Sequence, residues 1–181
     1  SQIKKLGYTL PQINFSHKAD IRVLIHEQSP EISQGVDDSG AGDQGMMFGY
    51  ACRETKSLMP LPITLAHRLA EQIDLVREQK VLPYLRPDGK TQVTIAYENG
   101  KPVAVESLVL AVPHSEKITL AEVTDDLYKK VVTPVLKRFG YSFPKKQMIV
   151  NGTGVWHIGG PHADTGVTGR KIVVDGDGGY A

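Results

Sequence analysis

A single cysteine, Cys52, leaves this 181-residue chain unable to form an internal disulfide. A reducing compartment, the cytoplasm, is the expected setting, and stability has to come from a hydrophobic core. Long apolar runs are missing as well: no stretch reaches the roughly 18 residues that a membrane-spanning helix needs. The opening Ser1-Gln2-Ile3-Lys4-Lys5 lacks the apolar segment of a signal peptide. Charge of one sign is not in excess either. The 21 basic and 20 acidic residues leave a net charge of +1, which argues against broad electrostatic binding to nucleic acid or a membrane. A locally basic site remains compatible with balanced totals. The chain shows no internal repeat and no low-complexity tract. With 40% apolar and 23% charged residues it has an ordinary globular composition, long enough for one large domain or two small ones.

Ile21-Arg22-Val23-Leu24-Ile25 reads as a short buried strand, rich in β-branched residues. A polar stretch follows, and five of the 18 glycines fall between Gly35 and Gly49, which predicts a loop closing on a tight turn. From about Ile63 to Lys80, Ala66, Leu69, Ala70, Ile73 and Val76 recur at helical spacing, with Pro60 and Pro62 in front and Pro83 behind. Val93, Ile95 and Tyr97 alternate on one face of a strand; Asn99-Gly100 is a hairpin signal, and Val103, Val105 and Leu108 begin the return. Thr119 and Glu122 fit a capping box opening a second helix, with Val123, Leu127 and Val131 inside and Pro134 expected to kink or end it. Short strands are expected at Met148-Ile149-Val150 and from Lys171 to Val174. The order predicts an α+β fold, mainly antiparallel sheet with helices on one face.

Three stretches combine glycine with charge. Gly42-Asp43-Gln44-Gly45 offers a carboxylate beside permissive backbone, or is simply a turn with a capping aspartate. In Arg86-Pro87-Asp88-Gly89-Lys90, Asp88 could accept from ribose hydroxyls and Lys90 reach phosphate oxygens; a plain Pro-Asp-Gly turn is the alternative. The third runs from Ile158 to Lys171 and ends in Gly169-Arg170-Lys171, a bidentate fork next to a point charge, as a polyphosphate clamp would need. It lacks the glycine-lysine-serine/threonine ending of a Walker A loop, and a structural glycine loop is equally compatible with it. His114-Ser115-Glu116 holds triad residue types without evidence of triad geometry, and His157 and His162 lack zinc-site spacing. Cys52 reads as a small buried residue and Trp156 as core or a base-stacking surface.

In this order these stretches resemble the methionine adenosyltransferase (S-adenosylmethionine synthase) family. Gln28 to Val36 is similar to the start of its gating loop, Gly40 to Ala51 to its G-A-G-D-Q-G segment, Leu58 to Leu69 to its next helix, Leu85 to Thr94 to its R-P-D segment, and Gly159 to Asp175 to its closing loop and strand. The resemblance runs from about Ile21 to the end. It implies a pseudo-threefold α+β fold and transfer of adenosyl from ATP to the sulfur of L-methionine, with tripolyphosphate then hydrolysed to pyrophosphate and phosphate. By the same carry-over Lys90, Arg170, Lys171 and Asp43 are catalytic; Asp88, Lys90, Val155, Trp156, Asp164, Arg170 and Lys171 stand at ATP-binding positions; and Gln28 and Asp164 contact methionine. Mg²⁺ and K⁺ are the implied cofactors, and a homodimer or homotetramer the implied assembly of the complete protein.

Against the family pattern, residues of about 1–45 correspond to the end of its first segment with the gating loop, about 46–150 to a central α+β segment, and about 151–181 to the glycine-rich loop and strand. Departures fall at Val155, where the family has a basic residue, at Ala163 and at Asp177. The family's G-H-P-D-K segment, its upstream metal and methionine glutamates and its lysine-rich downstream segment have no counterpart here. The expectation is therefore an incomplete part of a synthase that cannot complete an active site by itself, with no confident metal ligand of its own. The alternative is a non-catalytic paralogue or regulatory subunit that binds a full-length synthase.

Overall fold

The computed structural model describes residues 1–37, 39–46, 49–165 and 176–180. Its elements are α1 (Gln2–Lys5), a 3₁₀ turn at Pro11–Ile13, α2 (Pro30–Asp37), α3 (Leu61–Glu78), β1 (Lys90–Glu98), β2 (Lys101–Ala111), α4 (Leu120–Leu127), a π turn at Tyr128–Val132, α5 (Thr133–Arg138), a 3₁₀ turn at Lys145–Gln147, β3 (Ile149–Val150) and a 3₁₀ turn at Gly160–His162. They fall into two units, Lys18–Gly49 and the remainder, Ser1–His17 with Tyr50–Ala181.

In the larger unit the core is built around α3. Leu65, Leu69, Ile73 and Val76 line one side of that helix and are all buried, each contributing about 1.5–3 kcal/mol of burial. Prolines sit at the helix start, where a missing N–H costs little. The Glu54 carboxylate accepts the Leu61 N–H at 2.8 Å and the Tyr97 hydroxyl at 2.7 Å, tying this helix end to the sheet. Against α3 lies the hairpin: β1 pairs antiparallel with β2 from Lys90↔Ala111 to Glu98↔Lys101, and two register shifts leave Glu106 and Val103 as the extra residues of β2. Asn99 and Gly100 both have positive φ, 51° and 73°, as the tight hairpin turn demands. β3 joins β2 in parallel through Val109↔Ile149 and Leu110↔Val150, giving the order β1-β2-β3. A parallel neighbour requires a long crossover, and α4, the π turn and α5 provide it. Ile95, Val105, Leu108 and Leu110 are buried in the core shared with these helices, whereas Gln92, Thr94, Ala104 and Glu106 are exposed. The α+β class with a mainly antiparallel sheet is thus present.

The capping box at α4 forms in full, with Glu122 N–H to Thr119 Oγ1 at 3.3 Å and Thr119 N–H to a Glu122 carboxylate oxygen at 3.0 Å. Pro134 neither ends the helix nor leaves it regular; the π turn precedes it and α5 continues. An inserted residue of this kind accommodates a missing N–H. The Lys130 carbonyl, which an N–H at position 134 would serve in a regular α-helix, accepts from Gln72 Nε2 of α3 at 3.3 Å.

The smaller unit holds α2, whose first turn is capped by Ser29. Here the expectation of a buried strand is corrected: Ile21, Val23, Leu24 and Ile25 lie in no strand and are between 70% and 86% exposed. Apolar, β-branched composition favours an extended chain, but a strand exists only when a neighbour takes its N–H and C=O groups, and among the described residues none does. The strand expected from Lys171 to Val174 lies outside the described residues. Among the described residues no helix is long and apolar enough to cross a membrane.

Candidate active site

Asp88 and the glycine pair Gly159-Gly160 meet at the mouth of the hairpin. Asp88 sits just before β1 with φ +86°, an uncommon conformation that aspartate tolerates better than most residues. One of its carboxylate oxygens accepts the Gly160 N–H at 2.8 Å. Gly160 itself has φ +75°, and a Cβ there would stand 2.5 Å from the Tyr8 ring. At Gly159 a Cβ would stand 3.0 Å from the Asp88 carboxylate and 3.1 Å from the Trp156 ring. The two glycines therefore allow Tyr8, Asp88 and Trp156 to converge. Tyr8 packs edge-on against Phe15, with ring centroids 5.5 Å apart. Burial pushes its hydroxyl pKa up, and the Asp88 carboxylate raises it further.

Lys90, the first residue of β1, places its ammonium 5.0 Å from the centroid of the Trp156 ring, a cation–π contact worth about 0.5–1 kcal/mol at an exposed position. The indole N–H donates to the Ile158 carbonyl at 2.7 Å, which orients the ring within its own loop. Asn151 anchors the start of that loop. Its side chain accepts from Val112 N–H at 2.8 Å and donates to Val112 C=O at 3.1 Å, so the amide acts as one more strand residue beyond β3.

Of the residues singled out in the sequence, the fold thus brings together Asp88, Lys90 and Trp156. Val155, beside Trp156, is 61% exposed. Asp164 is exposed just after the 3₁₀ turn, and its N–H donates to the Gly160 carbonyl at 3.1 Å. Arg170 and Lys171 lie outside the described residues. Gln28 and Asp43 belong to the smaller unit. Gln28 is exposed ahead of α2, and Asp43 accepts the N–H of Gln44 at 2.8 Å, an ordinary turn contact. Cys52 is half-buried. Sequence reasoning missed Tyr8 and Asn151. Tyr8 carried no motif, and the partner of Asn151 lies 39 positions away, beyond any local pattern.

Chemically, the cluster offers a half-buried carboxylate and an exposed ammonium. A carboxylate has up to four acceptor sites, so Asp88 can accept from vicinal hydroxyls while holding Gly160. Lys90 supplies a compact positive charge of the kind that meets phosphate oxygens. Among the described residues no group of three or more His, Cys, Asp or Glu side chains comes together as a metal site.

The family model for the S-adenosylmethionine synthetase central domain matches residues 38–156, and this chain belongs to that family, one of enzymes. An S-adenosylmethionine synthase of Picosynechococcus sp. is 45% identical over 206 aligned residues, covering 99% of this chain and 49% of that protein. The synthase of Helicobacter pylori (strain J99) is 46% identical, covering 98% of this chain and 47% of its own length, and that of Desulforudis audaxviator is 46% identical at 99% and 49%. The chain spans about half the length of the curated relatives it matches.

Proposed function

We propose that this chain supplies nucleoside- and phosphate-holding residues of a methionine adenosyltransferase, which forms S-adenosylmethionine from ATP and L-methionine. The observation that supports this reading most is the convergence of Asp88, Lys90 and Trp156 on the Gly159-Gly160 turn, in a chain nearly half identical to S-adenosylmethionine synthases. The sulfur lone pair of methionine attacks C5′ of the ribose, the C5′–O bond breaks, and tripolyphosphate leaves with that electron pair. Water then hydrolyses it to pyrophosphate and phosphate. A thioether needs no general base, so catalysis rests on alignment and on stabilising a highly charged leaving group. In this reading Asp88 and Asp164 hold the nucleoside, Val155 and Trp156 flank the base, and Lys90, Arg170 and Lys171 face the polyphosphate. Gln28 and Asp164 contact methionine, and Asp43 stands near substrate. Mg²⁺ and K⁺ would lower the charge of the phosphates. The complete protein works in the cytoplasm as a homodimer or homotetramer, and the remaining half of the family's length completes the site.

Calorimetric titration of the chain with ATP plus Mg²⁺, then with tripolyphosphate, tests this. Saturable binding that is lost in Arg170→Ala is expected. No heat at millimolar ligand from a chain shown to be folded would remove the proposal. Val155, where the family has a basic residue, favours a second reading, a non-catalytic paralogue or regulatory subunit that binds a full-length synthase. Capture of such a synthase from the source cells, with no rise in its turnover, would favour that reading over the first.

A further inference from the structure

Three segments run side by side beneath the Asp88–Gly160 contact, and the structure ties them together at every layer. Between residues 84–86 and 113–115 the ties are main chain: Ser115 N–H to Tyr84 C=O at 2.9 Å, Arg86 N–H to Pro113 C=O at 2.7 Å, and a bridge between Leu85 and His114. Between residues 114 and 156–157 they are His114 N–H to Trp156 C=O at 2.9 Å and His157 Nδ1–H to His114 C=O at 2.9 Å, with the two imidazoles edge to face at 5.0 Å. One side chain closes the set. Arg86, only 7% exposed, directs one guanidinium N–H at the His157 carbonyl and grips both carboxylate oxygens of Glu116, at 3.3 and 2.9 Å. Arg86 lies two residues before Asp88, and His157 follows Trp156 directly.

We propose that Arg86, oriented by Glu116 and fastened to the His157 carbonyl, is a positioning residue that sets the spacing between Asp88 and Trp156, the two residues read above as holding the nucleoside. This deepens the functional reading above and rests on it. The geometry needs arginine in particular. A planar fork can engage a carboxylate with two N–H groups and still spend another on a carbonyl, whereas an ammonium on a flexible stem fixes no plane. The arrangement also explains a buried cation at a position where a turn alone would have accepted any polar residue. Glu116, 57% exposed, contributes no core packing, so its role is to orient the guanidinium.

Trp156 is the only tryptophan in the chain, so its fluorescence reports this one place. The experiment compares the unsubstituted chain with Arg86→Lys, Glu116→Ala and Glu116→Asp, using Lys117→Ala as a control on the same loop. Thermal midpoint, Trp156 emission, acrylamide quenching, and affinity for ATP–Mg²⁺ and for tripolyphosphate are measured well below each midpoint. Arg86→Lys and Glu116→Ala are expected to shift Trp156 emission to the red, increase its quenching, and weaken ATP–Mg²⁺ by about ten-fold, the scale of one lost charge-assisted hydrogen bond. Tripolyphosphate, which carries no nucleoside for Asp88 and Trp156 to hold, should lose much less affinity. Glu116→Asp should recover part of each effect, and Lys117→Ala should move none of them. A lowered midpoint with unchanged emission and unchanged ATP affinity would reduce Arg86 to a stabilising contact and overturn the proposal. Because Glu116 is exposed, its variants decide the matter even if Arg86→Lys does not fold. If the unsubstituted chain binds neither ligand, the functional reading fails, while emission and quenching still decide whether the clip positions Trp156.

Discussion

At the scale of single residues, the candidate site depends on atoms that are absent as much as on atoms that are present. Gly160 combines φ +75° with a Tyr8 ring 2.5 Å from where a Cβ would stand, and its N–H is the group that Asp88 holds. Gly160→Ala therefore has to move the tyrosine, the backbone or both. A loss of about 1–3 kcal/mol in urea unfolding is expected, the usual range for strain at a positive-φ position, together with weaker ATP binding. Unchanged stability would mean that the Tyr8 side chain relaxes freely and is no part of the wall. Lys90 illustrates a different economy: its ammonium rests over the Trp156 face and remains exposed, so one contact positions a charge without burying it.

At the scale of elements, local sequence signals held wherever their partners are near in the chain. The α3 stripe, the Asn99-Gly100 hairpin and the Thr119/Glu122 capping box all formed as the spacing predicts. Thr119→Ala should cost about 1 kcal/mol in chemical denaturation, since it leaves an N–H of the first turn of α4 without its acceptor. A cost near zero would show that water replaces the threonine hydroxyl there. Tertiary structure decided the outcome at two places. Pro134 is absorbed by a π turn whose neighbouring Lys130 carbonyl is served from α3 by Gln72, a partner 58 positions away that no local pattern contains. Ile21–Ile25 has the composition of a strand, yet no neighbouring strand stands beside it among the described residues.

For the whole molecule, acid sensitivity follows from three carboxylates held below their ordinary pKa. For Glu116 the main cause is a hydrogen bond from its own backbone N–H, followed by that from Arg86. Glu122 is lowered by the Thr119 backbone N–H and then by its hydroxyl, and Asp125 by a hydrogen bond from Lys145. A group whose folded pKa is depressed stabilises above its unfolded value and loses that contribution as pH falls through the folded one. The thermal midpoint is therefore expected to be level down to the ordinary values of 4.5 for glutamate and 3.8 for aspartate, and to fall steadily below them. Glu122→Gln should flatten that fall. A midpoint that drops already between neutrality and pH 5 would point to other groups.

The sequence by itself determined the α+β class, the helix and hairpin positions and the family, because these rest on periodicity, turn chemistry and ordered motifs that lie along the chain. It also marked Asp88 and Lys90 as candidates, since glycine beside charge is visible in a linear string, and Trp156 as the single tryptophan and through the family resemblance. Their convergence was decided only by the tertiary structure. Asp88 meets Gly160 across 72 positions, Arg86 meets His157 across 71, and Asn151 meets Val112 across 39. Contacts of that separation depend on how the strands and crossover helices stack. A turn motif states what its backbone can do locally, whereas the partner that occupies its polar groups is chosen by the fold.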